Sequence, residues 1–448
     1  MICNICDYGA VPDGVTMNTA AIQSAIDTCA ENGGGTVLVP AGLFMTGSLF
    51  LRSHVELHLA HGSVLKASSD LADYNALDAY PQNMSSEAER WKGHHVVMGI
   101  EIEDAAITGT GCIDGNGVAF FAELRPDSYR GELSWRDGYC NVKDKEIRRP
   151  GQMIVFAESK NIVIQDVFFR DSTCWTILIH GCEEVRIRGV KIKNPGWNAN
   201  TDGIDIDCSR NVTISDCLID TGDDALTLRG SFRTLKDQTR ICENIAVSNC
   251  VCHARACGIR IGVGNGTIRN AVFSNITFAG SGAGIQIQSS YWAQGKGVDI
   301  SNLRFVNINC RGAAYPVNIG PGMETATAQI EDIVFSQCTF EVFYPLTLSG
   351  NAQTCPRNIR FENVDFIVAD APHPFREYPA PEIFLRLSAV DDITFRASRI
   401  HWKTKDPWWK QTLAVQDVND LEIAPDCRFP EPENHTGTLS LDERPFAT

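Results

Sequence analysis

One short module recurs along this chain and restricts its fold more than any other feature. It reads "NIVIQDVFFRD" from Asn161, "EVRIRGVKIKN" from Glu184, "NVTISDCLIDT" from Asn211, "NIAVSNCVCHA" from Asn244 and "NAVFSNITFAG" from Asn270. It continues as "NLRFVNINCRG" from Asn302, "DIVFSQCTFEV" from Asp332, "NIRFENVDFIV" from Asn358 and "DITFRASRIHW" from Asp392. Successive starts are 23, 27, 33, 26, 32, 30, 26 and 34 residues apart. Each module is a polar opener, an alternating apolar strand, a bend and a second short strand. Alternation places Val, Ile and Phe on one face, and a unit this short cannot bury that face alone. It must stack on its neighbours, which predicts an all-β, right-handed parallel β-helix of about one turn per repeat. A β-propeller would need antiparallel blades and a longer period.

The rest of the chain fits that frame. "NTAAIQSAIDTCAENGGG" reads as a helix capped by Asn18, with Ala21, Ile22, Ala25, Ile26 and Cys29 on one face and Gly33 to Gly35 ending it. Such a helix would close the open end of the first coil. The whole chain is expected as a single β-helix domain: 1–50 as cap and first strands, 73–149 as loop-rich insertions, 150–402 as regular coils and 403–448 as a C-terminal cap or tail. Long loops on a rigid scaffold are where binding is expected.

Composition narrows the partners. The 39 basic and 55 acidic residues of the 448 give a formal charge of -16, which argues against nucleic acid and anionic membranes. No stretch has the roughly 18 uncharged apolar residues that a membrane-spanning helix needs. The amino terminus lacks a signal-like leader, and 17 cysteines scattered through strand-like segments fit reduced, buried thiols. A cytoplasmic protein is expected, with a homo-oligomer left open. Cys250, Cys252, His253 and Cys257 have zinc-ligand chemistry, but alternation turns His253 away from Cys250 and Cys252, so no metal or other cofactor is expected.

The chemistry concentrates in "NTDGIDIDCSRNVTISDCLIDTGDDALTLRG", Asn200 to Gly230. Asp202 and Asp223 are 21 positions apart, close to one coil, so Asp202, Asp223 and Asp224 are expected as one patch on neighbouring strands. Carboxylates held together cannot all ionise easily, and at least one should resist losing its proton. That arrangement makes an acid and a base from one residue type. A calcium site and ordinary turns are the competing readings. Asp205, Asp207, Asp216 and Asp220 read as turn or solvated positions.

"NTDGID" at Asn200 to Asp205 and "DTGDDALTL" at Asp220 to Leu228 resemble two signature motifs of glycoside hydrolase family 28, the polygalacturonases and their relatives. "DYGAVPDGVTMNTAAIQSAIDTC", "ITGTGCIDGNG" from Ile107 and "RRPGQMIVFAESKNIVIQDVFFRDSTCWTI" from Arg148 are also similar to that family. The resemblance runs from Asp7 to about Asp365. It implies a parallel β-helix that hydrolyses glycosidic bonds with inversion, Asp223 being the general acid and Asp202 and Asp224 activating the water. An inverting pair is expected to stand roughly 6.5 to 9.5 Å apart.

Two motifs depart from the family. In "RACGIRIG", Ala256 or Cys257 occupies the place of a histidine, with His253 nearby as a candidate substitute. In "GIQIQSS", Gln286 and Gln288 stand where Arg-Ile-Lys would grip a uronate. Amides exchange charge-assisted bonds for neutral ones, while Arg229 and Arg260 could return positive charge. Asn200, Arg229, His253, Arg260, Gln286, Gln288, Tyr291, Trp292 and Trp197 are the candidate substrate-binding residues, and Trp175 is a further aromatic with either a sugar-stacking or a packing role. The expected function is an exo-acting glycosidase on a pectin-derived or related oligosaccharide. A glycan lyase or fructan transferase on the same scaffold, and a non-catalytic carbohydrate-binding β-helix, are the alternatives.

Overall fold

The structure is a computed structural model and describes residues 1–76, 79–84, 93–121, 149–196, 198–291, 295–371 and 381–435. They form two compact units, one of Met1–Ala256 with Gly266–Ile268, the other of Cys257–Asn265 with Arg269–Thr448. Among the described residues no helix is long and apolar enough to cross a membrane.

The polar residue that opens each module has a structural cause. Asn161, Glu184, Asn211, Asn244, Asn270, Asn302, Asp332, Asn358 and Asp392 all have φ between 51° and 60°. Asn and Asp enter this left-handed region more readily than other side-chain-bearing residues. The openers turn the chain, and several bond to one another from coil to coil. The Asn244 amide donates to Asn211 Oδ1 at 3.1 Å, and the Asn302 amide to Asn270 Oδ1 at 2.8 Å.

In the first unit the strands Leu49–Phe50, Val97–Ile100, Ile154–Ala157, Ile177–His180, Ile204–Asp207 and Leu226–Gly230 form one parallel ladder. The two strands of each module form further parallel ladders, for example Glu183–Arg188 on Arg210–Ser215 and Lys191–Lys193 on Leu218–Thr221. Helix Thr19–Glu31 buries Ile22, Ala25, Ile26 and Cys29 against the first strands, as a cap should. Asn18 does stand at its N-cap, but its side chain makes no cap bond. It instead accepts from the Val11 N–H at 2.7 Å and donates to Thr16 O at 2.7 Å, pinning the preceding loop.

The second unit repeats the pattern with Cys257–Gly264, Ala283–Gln288, Tyr315–Gly320, Leu346–Ser349, Ile383–Ser388 and Gln411–Gln416. Its core contains a stack of Phe273, Phe305, Phe335, Phe361 and Phe395, with successive ring centroids 4.8 to 5.2 Å apart. One phenylalanine per coil at the same register gives offset stacking at the inter-strand spacing.

Candidate active site

Asp202 lies just before strand Ile204–Asp207, and Asp223 and Asp224 just before Leu226–Gly230. The register pairs Ile204 with Leu226, and the Gly203 N–H donates to Asp224 O at 2.9 Å. The coil offset is therefore 22, and Asp202 stands level with Asp224 rather than with Asp223. One oxygen from each of the three carboxyls falls within 4.8 Å of the others. That spacing is shorter than the roughly 6.5 to 9.5 Å window because the carboxyls rise from adjacent strands, which lie about 4.8 Å apart. Among the described residues this is the one acidic, His or Cys group spaced to hold a metal ion.

Two close contacts lock the turns that carry these residues. The Gly222 N–H donates to Thr201 Oγ1 at 3.2 Å, and that hydroxyl donates to Asn198 O at 2.8 Å. A Cβ on Gly222 would lie 2.2 Å from Asn198 O, so only glycine fits. Asn200, at φ 55°, donates its N–H to Asp223 Oδ2 at 3.0 Å. Arg149 holds Asn200 from behind: its guanidinium donates to Thr173 O and Ala199 O, each at 2.6 Å, and to Asn200 Oδ1 at 3.0 Å. The chain-level reading missed Arg149, whose partners are mostly backbone carbonyls of other coils. The "RRP" ahead of a strand was its only trace.

Asp202 is buried, and its Oδ1 has no hydrogen-bond partner. Burial pushes its carboxyl well above the usual carboxylate range, and the negative charges of Asp223, Asp205 and Asp224 act the same way, against the opposing Arg229 guanidinium. The cluster thus retains a proton, as three gathered carboxylates should.

Asp205 and Asp207 are not turn or solvated residues. Both are buried on the strand beside the triad, each beside a basic side chain of a neighbouring strand. Asp205 lies 3.4 Å from Arg229 Nη1, and Asp207 lies 3.4 Å from His180 Nδ1. Burial pushes Asp207 up, but His180 and then Arg229 outweigh it and hold the carboxyl below its ordinary value. Asp216 is exposed as expected, bonded to Arg188 and Asn249. Trp175 is only 3% exposed, and the Arg229 guanidinium covers its ring at 4.0 Å, so it packs the site and offers no open face for a sugar.

His253 is exposed and bonds to Asp220 Oδ1 at 2.9 Å, while Cys252 beside it points into the core, the opposed orientation that alternation requires. Every cysteine among the described residues is free. In the second unit Arg260, Gln286, Gln288 and Tyr291 come together. Arg260 Nη2 and Gln286 Nε2 both donate to Gln288 Oε1, at 2.9 and 3.0 Å, and Arg260 lies over the Tyr291 ring at 4.5 Å. The Cys257 thiol donates to Gln286 Oε1 at 3.3 Å. Trp197 and Trp292 lie outside the described residues.

Stacked parallel coils with a compact aspartate triad at the entry of two adjacent strands define a parallel β-helix with an acidic site. The sequence pattern of Glycosyl hydrolases family 28 matches residues 29–373, and the chain belongs to that family, with its right-handed parallel β-helix. A probable polygalacturonase of Vitis vinifera is 30% identical over 236 residues, which are 51% of this chain and 44% of the relative. An exo-poly-alpha-D-galacturonosidase of Dickeya chrysanthemi is 30% identical over 257 residues, 50% of this chain and 41% of the relative. The match thus spans less than half the length of these curated relatives. The family 28 exopolygalacturonase of Yersinia enterocolitica superposes with a TM-score of 0.71 at 19% identity, covering 95% of this chain and 78% of that one, a likeness of fold.

Proposed function

We propose that this chain is a glycosidase that hydrolyses an O-glycosidic bond of a pectin-derived or related oligosaccharide from a chain end, with inversion. The observation that carries the reading is the triad itself: three carboxyls within 4.8 Å, one of them buried and resistant to ionisation. Such a cluster supplies a proton and a base together. In this mechanism Asp223, oriented by the Asn200 N–H on one oxygen, protonates the leaving oxygen through the other. Asp202 and Asp224, level on neighbouring strands, hold one proton between them, and the ionised member of the pair takes a proton from the attacking water. The name of the Dickeya relative supports action from a chain end. The Arg260 guanidinium, bonded to Gln288, supports a uronate among the sugars recognised, since it restores one of the two cations that the amides replace.

Asp223→Asn should abolish hydrolysis of oligogalacturonides while leaving the circular dichroism spectrum unchanged; an active variant would sink the assignment. Proton NMR of the first product anomer reads inversion directly, and matched neutral and uronate oligosaccharides separate the substrate classes. An ultraviolet-absorbing product that disappears with chelator would instead mark a calcium-dependent lyase, and binding without turnover a non-catalytic module. The free thiols support residence in a reducing compartment such as the cytoplasm, which cell fractionation tests.

A further inference from the structure

A second groove opens in the first unit, outside the turn that carries the triad. It has a volume of about 500 Å³, and Phe168, Lys193, Pro195, Asp220 and His253 are among its walls, a size usual for small-ligand sites. Two columns of the ladder run along it, and the first column with Phe168 of the second lines it. In one, Arg170, Lys193, Asp220 and His253 stand in register. In the other, Phe168, Lys191, Leu218 and Val251 stand in register, with Leu218 and Val251 each about half exposed.

The charges in the first column are already partnered, with one exception. Arg170 pairs with Asp114 at 2.8 Å and His253 with Asp220 at 2.9 Å. Lys193, exposed between them, makes no ion pair among the described residues. Beside it Pro195 and the half-buried Phe168 ring, which carries the Lys191 ammonium over one face at 5.0 Å, offer apolar surface. An ammonium next to an aromatic and a proline suits a sugar acid: the carboxylate meets the lysine while the C–H face of the ring lies on the apolar wall. The carboxylates of Asp171 and Asp220 in the same walls disfavour a nucleic-acid backbone and suit sugar hydroxyls as acceptors.

We propose that this groove is a second, non-catalytic binding site for an acidic oligosaccharide, in which Lys193 takes a uronate carboxylate while Pro195 and the uncovered part of the Phe168 ring meet the face of a sugar. The inference rests on the carbohydrate reading of the family site, and of the residues expected there only His253 lines the groove. The two sites share one wall. Asn194, Pro195 and Gly196 face the groove, and the same turn continues to Thr201, which holds Gly222 beneath Asp223. A long chain bound in the groove would be retained at the protein between cleavage events.

The test uses the full chain carrying Asp223→Asn, so that ligand is not consumed, titrated calorimetrically with trigalacturonate. Two binding events are expected. Lys193→Gln or Phe168→Ala should weaken one by roughly tenfold or more and leave the other unchanged, with no loss of thermal stability for Lys193→Gln, whose side chain is exposed. In the otherwise wild-type enzyme the same substitutions should lower kcat/KM on polygalacturonate while sparing the trimer. A single event that neither substitution changes would overturn the proposal, as would equal binding of the neutral galactose trimer with and without Lys193. If the wild-type chain cleaves no galacturonide yet Lys193→Gln still removes one binding event, the groove stands and the substrate reading falls.

Discussion

Asp202→Asn should make the protein more stable at neutral pH while destroying its activity, and the size of the gain should follow pH in a defined way. Two carboxylates with oxygens within 4.8 Å repel by about 3.5 kcal/mol at an effective dielectric constant of about 20, and no protein donor reaches Asp202 Oδ1 to offset this. Its carboxyl is therefore raised in the folded protein. Below about pH 3.9 the residue is protonated both folded and unfolded, so the parent and the variant should differ little. Above that pH the unfolded chain releases the proton and the folded chain keeps it. The parent should then lose stability relative to the variant by up to about 1.4 kcal/mol per pH unit. The loss levels off once the folded group ionises. Urea unfolding followed by circular dichroism from pH 4 to pH 8 measures the gap. Parallel stability curves, or a variant weaker at every pH, would refute the reasoning.

Three further substitutions probe the supports around this cluster and the core. Gly222→Ala should lower kcat by roughly a hundredfold through displacement of Asp223 and Asp224, because the new Cβ would meet Asn198 O at 2.2 Å; unchanged kinetics would mean the turn yields freely. Arg149→Met leaves Thr173 O, Ala199 O and Asn200 Oδ1 without their donor. It should cost about 2–5 kcal/mol in denaturant unfolding and reduce turnover by releasing Asn200. Phe335→Ala removes a ring stacked on two neighbours at 4.8 Å and should cost about 3–5 kcal/mol of stability, read from the same unfolding experiment.

The modules were readable in the chain because their polar openers answer a backbone demand: a left-handed opening residue favours Asn or Asp, with Glu184 the one exception among the nine. The triad was readable for a related reason, since strand stacking turns sequence spacing into proximity. The level of each carboxylate was not, because a one-residue difference between an offset of 21 and one of 22 decides which aspartate faces Asp202. Asp205 and Asp207 looked like solvated residues because alternation assigns them to the outer face. Burial of that face depends on segments remote in sequence, such as the cluster of Tyr80, Met98, Val155, Trp175 and Leu178. For Trp175 burial selects the packing role over the stacking one: an aromatic beside a site is an open platform only if nothing lies over it, and Arg229 does.

The level pairing of Asp202 and Asp224 also bears on how such a chain can diversify. Their separation is one rung of a hydrogen-bonded ladder, a length fixed by peptide geometry and indifferent to the side chains around it. Lengthening or recutting the loops would alter which glycan arrives and how far it enters, yet the rung would keep its height. A lineage built on this scaffold can therefore exchange the loops around the carboxylates without having to rediscover their spacing.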